Sequence, residues 1–151
     1  MKNNDKILLR GGAVYIIIGL LLAWSLIGVY SDLGFVKAIF PGETQRILQA
    51  HIDFLLMSAL ILGLRATRVP FYWHIKWSMV TGAFTNSGIF LVFAMFPVTD
   101  PSSELYMSEL KMNDIVHALF RISFVITTYG FGGAGISLLR STLNKKQHLP
   151  E

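Results

Sequence analysis

Long runs of apolar residues alternate with short polar connections along the chain. The first run covers residues 11–31 and contains no charged side chain. Similar runs cover residues 47–64, 77–98 and 115–139. A helix needs about 20 mainly apolar residues to cross the hydrocarbon core of a bilayer. The pattern therefore predicts four membrane-spanning helices at these positions.

The alternative way to cross a membrane, a β-barrel, does not fit the pattern. Backbone groups in lipid must be satisfied within the spanning structure, so only helices and closed barrels can cross. The period-two alternation that marks barrel strands does not occur in these runs. The predicted fold is an all-α integral membrane four-helix bundle, one domain over residues 1–151, with residues 140–151 as a polar cytoplasmic tail.

The basic residues predict how the bundle is oriented. Nine Lys and Arg residues lie in the N-terminal segment, the second loop and the tail, and three lie in the other two loops. Cytoplasmic segments of membrane proteins carry the excess of Lys and Arg. We therefore predict that both termini are cytoplasmic and that the first and third loops face outward.

The composition excludes several classes of function. Apolar residue types make up 53% of the chain and charged types 15%, with a mean hydropathy of +0.54. Soluble domains carry about 25% charged residues, so an ordinary soluble enzyme and a nucleic-acid-binding domain are excluded. The chain has no cysteine. Disulfides, a thiolate haem ligand, an iron–sulfur cluster and covalent haem attachment are therefore excluded as well.

Four ionisable side chains lie inside the predicted spans, where each one is costly and suggests a function: His51, Asp53, His117 and Arg121. We expect them to converge, with Asn86 and Phe90 of the third span, in the outer half of the bundle. A neutral imidazole in an apolar helix is a natural ligand for haem iron. His51 and His117 together would form a bis-histidine site, and the alternative for each is an interfacial histidine that bonds water or a loop carbonyl.

The charged and amide side chains also allow two interpretations. Arg121 could bind a haem propionate or another anion. It could instead pair with Asp53 or Asp114, which would lower the cost of burying both charges. Asp53 is otherwise a candidate proton donor or acceptor. The polar residues 85–87 are typical of helix pairing, although Asn86 could also orient a small polar ligand.

Residues 130–135 read Gly-Phe-Gly-Gly-Ala-Gly, which matches the dinucleotide-binding pattern G-x-G-x-x-G. That motif works only between a strand and a helix of a βαβ unit. This copy lies late in a predicted membrane helix. We therefore interpret its small residues as positions of close helix packing.

Several short features occur in the same order and spacing as in styrene oxide isomerases, which are small four-span membrane enzymes with haem b. The resemblance covers residues from about 11 to 141 at low identity. It rests on Gly11-Gly12 at the start of the first span, Ala50-His51 opening the second, Asn86-x-Gly88 in the third, Phe96-Pro97 closing the third and Asp114-Ile115 opening the fourth.

The resemblance implies that His51 is the axial ligand of haem b and that the protein is a homotrimer with haem near the subunit interfaces. It also implies a reaction in which an epoxide opens and a hydride shift gives an aldehyde. Iron would act as a Lewis acid on the epoxide oxygen, and an apolar pocket would exclude water. The expected substrate is small and hydrophobic, and the expected location is the bacterial inner membrane.

Two positions depart from the family at points that matter for the reaction. The family has a tyrosine where Phe90 aligns and an asparagine where Met57 aligns. Phenylalanine has no hydrogen-bonding group and methionine is at best a weak acceptor. Asn86 lies four residues from Phe90 on the same helix face and is the candidate replacement. The predicted catalytic residues are Asn86, Phe90 and Met57, and the predicted haem-binding residues are His51, Arg121, His117 and Trp24.

Two other functions fit the same residues. One is a haem-binding redox or sensor protein, in which His117 supplies a second iron ligand and closes the coordination site. The other is a haem-free structural or assembly subunit of a membrane complex. In that case the polar side chains within the spans would only pair helices.

Overall fold

The structure is a computed structural model that describes residues 5–145. Within this range the chain forms five α-helices and one short 3-10 turn, and no strand. They are α1 (Asp5–Tyr30), α2 (Gly34–Ile39), α3 (Thr44–Ala66), α4 (Trp73–Met95), the 3-10 turn Pro97–Thr99 and α5 (Lys111–Lys145). Four of the helices, α1, α3, α4 and α5, are long and apolar enough to cross a membrane. The predicted all-α fold with four spans is confirmed.

The helices differ from the predicted spans mainly at their ends. Helices α3 and α5 extend beyond the apolar runs on both sides, and α1 and α4 extend beyond theirs on the N-terminal side only. Helix α4 ends at Met95 although the apolar run continues to Val98. Pro97 disfavours helical backbone at the residue before it, and the chain turns into the 3-10 segment there. Residues 140–145 of the predicted tail are helical, and residues 146–151 lie outside the described range.

The four spans do not close into a ring. Helix α1 packs along α3, α3 packs along α4, and α1 also touches α4. Helix α5 packs along α4 and makes at most slight contact with α1 or α3. A core of three helices therefore carries α5 on one side of α4, and α5 is the least buried of the four spans.

Two buried aromatic rings lie in the centre of the three-helix core, and a third, that of Phe84, borders them and is 48% exposed. Tyr15 of α1 and Phe54 of α3 meet edge to face with ring centroids 5.7 Å apart, and Phe84 of α4 lies 6.0 Å from Phe54. The Tyr15 hydroxyl donates a hydrogen bond to the Val80 carbonyl of α4. Tyr15 and Phe54 are each only 1% exposed. These contacts fix α1, α3 and α4 relative to one another.

Two glycines let α4 and α5 approach closely. A Cβ atom on Gly82 would lie 2.7 Å from the Thr127 backbone nitrogen, and one on Gly130 would lie 2.5 Å from that of Met79. Gly130 opens the glycine-rich segment 130–135, so the packing interpretation of that segment is confirmed at this position. Gly132 has open space beside it and does not contribute to this contact.

Candidate functional site

His51 lies where α3 meets α1. Its Nδ1 atom is 2.8 Å from the carbonyl oxygen of Gly19, and the ring is half-buried. Because a carbonyl can only accept a hydrogen bond, Nδ1 carries the proton and Nε2 keeps its lone pair. Metal-ligating histidines usually donate their second nitrogen to a carbonyl or carboxylate in this way. The geometry therefore presents Nε2 of His51 as a possible ligand atom.

Asp53 binds α4 and not α5. Its Oδ2 atom accepts hydrogen bonds from the Ser87 hydroxyl at 2.8 Å and from the Asn86 amide at 3.2 Å. The predicted alternative of an ion pair between Asp53 and Arg121 is wrong within one chain, because α4 lies between α3 and α5. The interpretation of residues 85–87 as a helix-pairing patch is confirmed by these bonds and by Thr85, whose hydroxyl lies 2.7 Å from that of Ser123 on α5.

The predicted catalytic residues surround the bond between Asp53 and Asn86. Met57 follows Asp53 by one helical turn on α3, and Phe90 follows Asn86 by one turn on α4. Both side chains are partly buried against the hydrophobic core. The two helices are antiparallel, so one turn along α3 and one turn along α4 lead in opposite directions. Met57 and Phe90 therefore lie at different depths, one above and one below the hydrogen bond between Asn86 and Asp53. Asn86, Met57 and Phe90 thus share the α3–α4 contact.

His51 is separated from this group by the body of α3. Residues two apart on a helix point about 200° from each other at about 100° per residue, so His51 and Asp53 face opposite sides. His51 faces α1, whereas Asp53 faces α4. The predicted ligand and the predicted catalytic residues therefore lie on different faces within one chain.

The remaining predicted haem contacts lie elsewhere. His117 is on α5, and its Nε2 atom lies 3.4 Å from the Tyr106 hydroxyl of the third loop. Trp24 of α1 is 71% exposed. Arg121 is exposed on α5 and forms no ion pair with Asp114 or any other described residue. The expectation that these residues converge in one chain is wrong, because α5 packs mainly on α4. For the same reason the alternative in which His51 and His117 face each other as a bis-histidine site does not occur within one chain.

A buried ion pair at the end of the bundle that carries the first and third loops was not anticipated from the sequence. Arg46 of α3 binds Asp100 through two hydrogen bonds, Nε to Oδ2 at 2.5 Å and Nη2 to Oδ1 at 2.6 Å. The Arg46 side chain is 16% exposed and that of Asp100 is 1% exposed. Arg46 also donates to Gln49 at 2.8 Å and to Ser102. The pair ties α3 to the loop that follows α4.

The protonation of Asp100 follows from these contacts. Burial alone would raise the pKa of the Asp100 carboxyl. The hydrogen bonds from Arg46 and from the backbone and hydroxyl of Ser102, together with the charge of Arg46, outweigh burial and hold that pKa below its ordinary value. Asp100 is therefore ionised at neutral pH and contributes to stability there.

The described residues contain no group of three or more His, Asp and Glu side chains that could hold a metal ion. Comparisons with protein-family models, curated proteins and solved structures find no match to the chain.

We expect Asp100→Asn to lower the free energy of unfolding by about 3 kcal/mol at pH 7, because Arg46 is left buried without its partner. The folded pKa of Asp100 lies below the unfolded value of about 3.9. Its contribution is therefore present above about pH 4 and is lost as the pH falls through the folded pKa. Thermal unfolding in detergent should show the difference from the wild type at pH 7 and a smaller one at pH 3.

Asp32→Asn is the matched control, because Asp32 pairs with Lys37 at an exposed position. It should cause no comparable loss of stability. An equal loss in both variants, or a loss for Asp100→Asn that is unchanged at pH 3, would contradict the account of the buried pair.

Proposed function

We propose that the protein binds haem b through His51 and isomerises a small hydrophobic epoxide to a carbonyl compound. The observation that carries the proposal is the bond between Nδ1 of His51 and the Gly19 carbonyl, which leaves Nε2 available to iron. The same residue is the axial ligand implied by the resemblance to styrene oxide isomerases. A location in the bacterial inner membrane and a trimeric state belong to the same proposal.

The residues around His51 fit a haem group held by one ligand. The ring is half-buried between two apolar helices, so its environment limits access of water. His117 is held by Tyr106 and lies on a helix that does not pack on α3. This supports a coordination position that stays open for substrate, as an isomerase requires and a bis-histidine redox protein does not. Haem iron, when bound, would supply a Lewis acid for the epoxide oxygen.

Asn86 is the residue best suited to assist ring opening. One of its amide N–H groups is held by Asp53, and the other remains to donate to an oxygen that gains negative charge. In the reaction a carbon–oxygen bond of the epoxide breaks, a hydride moves between the two ring carbons and a carbonyl forms. Substrate and product have the same atoms, so no water or oxidant is consumed. Phe90 and Met57 add apolar surface that keeps water from trapping the opened ring.

The positions of His51 and Asn86 make the oligomer part of the proposal. They lie on opposite sides of α3 in one chain, so a substrate that contacts both a His51-bound group and Asn86 must lie between two copies. This supports the interfacial haem site implied by the resemblance.

A haem-free helix-pairing subunit is the second candidate. The observation that favours it is that Thr85, Asn86 and Ser87 all have hydrogen-bond partners on neighbouring helices. Under this alternative the purified protein contains no haem, whatever residue stands at position 51.

We expect the purified wild-type protein to contain non-covalent haem b with a high-spin absorption spectrum. His51→Ala should lose the haem, because it removes the iron ligand. His117→Ala is the matched control and should keep both haem content and spectrum, since Tyr106 and not iron is its partner. Full haem content and an unchanged Soret band in His51→Ala would contradict the assignment. Low-spin iron that loses a ligand in His117→Ala would favour the redox alternative.

We expect the haem-loaded protein to convert styrene oxide or an alkyl epoxide to the corresponding aldehyde. Loss of a positioned donor costs about 10²–10³ in rate, so Asn86→Ala should slow turnover by about that factor while haem content is kept. Thr85→Val is the control, because Thr85 bonds Ser123 and not Asp53. If no epoxide is turned over, or if Asn86→Ala has wild-type activity, the proposed reaction or the role of Asn86 is wrong.

A further inference from the structure

Arg121 faces away from every other helix of its own chain. Helix α5 contacts α4 through Ser123, Thr127 and Gly130. Arg121 precedes Ser123 by two residues, so it points to the opposite side of α5. It is exposed and has no hydrogen bond or ion pair with a described residue. No residue in the described range 5–145 therefore neutralises its charge.

The depth of Arg121 in the membrane follows from the register of α5 on α4. The Thr85 and Ser123 hydroxyls meet at 2.7 Å, and the two helices are antiparallel. Arg121, two residues before Ser123, is therefore level with Ser87, two residues after Thr85. Ser87 donates to Asp53 at 2.8 Å. Arg121 and Asp53 consequently lie at the same depth, on opposite sides of α4.

This depth is close to the middle of the bilayer. Ser87 lies at the centre of the charge-free run 77–98 of the sequence. From Ser87 to the end of α4 at Met95 are eight residues, or about 12 Å at 1.5 Å per residue. Arginine at such a depth is rare and almost always pairs with another group or faces the interior of an assembly. Contact with lipid headgroups would require the side chain to span the whole outer half of the helix.

Among the residues that the structure describes, Asp53 is the one carboxylate at the matching depth. The other acidic residues lie in loops, near helix ends or in the terminal segments. Asp53 is half-buried, and its Oδ1 atom accepts no hydrogen bond from a described residue. The exposed apolar side chains of Ile52, Leu56 and Leu60 adjoin it on α3. An arginine that approaches this side of α3 therefore meets a carboxylate oxygen beside an apolar surface.

The equal depth of Arg121 and Asp53 is significant because of the symmetry of a membrane oligomer. Copies related by rotation about the membrane normal keep every residue at its own depth, so Arg121 of one copy can meet only residues at the same level of the next. The oligomeric state here rests on the trimer of the proposed function, and we propose that within it Arg121 of each copy pairs with the partner's Asp53. Helix α5 of one copy then runs parallel to α3 of the next, in a head-to-tail contact of the kind that closes rings.

Small residues lie where the two helices would approach. Gly132 shares the face of Arg121 on α5, and Gly63 lies on the exposed side of α3. Neither has a described atom within 4 Å of an added Cβ. With Arg121 level with Asp53, Gly132 falls within one residue of Gly63 in depth. Small residues at such positions allow close packing between membrane helices.

The absence of native cysteine allows a direct cross-linking test. Two differently tagged copies, one with Arg121→Cys and one with Asp53→Cys, are expressed together and treated in membranes with a short bifunctional thiol reagent. We expect a cross-linked dimer that carries both tags. Asp114→Cys replaces Arg121→Cys in the control, because Asp114 lies on the same face of α5 but about 10 Å nearer the membrane surface. No cross-link, or equal cross-linking in the control, would overturn the proposal.

Charge variants provide an independent measurement that does not depend on a reagent. Arg121→Gln should dissociate the oligomer in native mass spectrometry, and Arg121→Asp should dissociate it at least as completely. Arg121→Lys, which keeps the positive charge and leaves the Asp53 contacts intact, should retain the oligomer. If Arg121→Gln keeps the wild-type oligomer, the arginine is satisfied by lipid headgroups and the proposal is wrong. The readout is association, so the result is independent of whether the protein binds haem or turns over an epoxide.

Discussion

The carboxylate of Asp53 in the middle of the membrane is the interaction on which the arrangement of the spans depends. It accepts hydrogen bonds from Ser87 and Asn86 and so links α3 to α4 at one depth. A carboxylate at this depth is costly unless it is hydrogen-bonded or paired, so any sliding of α3 along α4 is opposed. The register set here determines which residues of the two helices share a face.

The positions of the other spanning helices depend on how they pack against α4. On one side it holds α3 through the Asp53 contact and α1 through the aromatic core. On the other side Gly82 allows α5 to approach within backbone contact. Because α5 has no other substantial support, its depth and rotation follow from α4. The outward face of α5, with Arg121 at mid-membrane depth, is therefore a consequence of how α4 is packed.

The fold was largely predictable from the sequence, and the site was predictable only in part. Apolar runs of about 20 residues determine spanning helices, and the polar residues 85–87 indicated helix pairing. The sequence does not show which helices are neighbours. The expectation that His117 and Arg121 lie near His51 therefore assumed a closed bundle. The pair of Arg46 with Asp100 was missed because the two are 54 residues apart and no local pattern links them. Asp53 was identified as unusual, but its partners depended on the same unknown neighbour relations.

A double-mutant cycle between Asp53 and Ser87 tests the central contact most directly. Unfolding free energies of Asp53→Ala, Ser87→Ala and the double variant should show a coupling of about 1 kcal/mol, between the average of about 0.6 and the maximum of about 1.7 kcal/mol found for hydrogen bonds between membrane helices. The matched cycle of Asp53→Ala with Ser123→Ala should show a coupling near zero, because Ser123 bonds Thr85. A coupling near zero for Asp53 and Ser87 would contradict the account that this carboxylate joins α3 to α4.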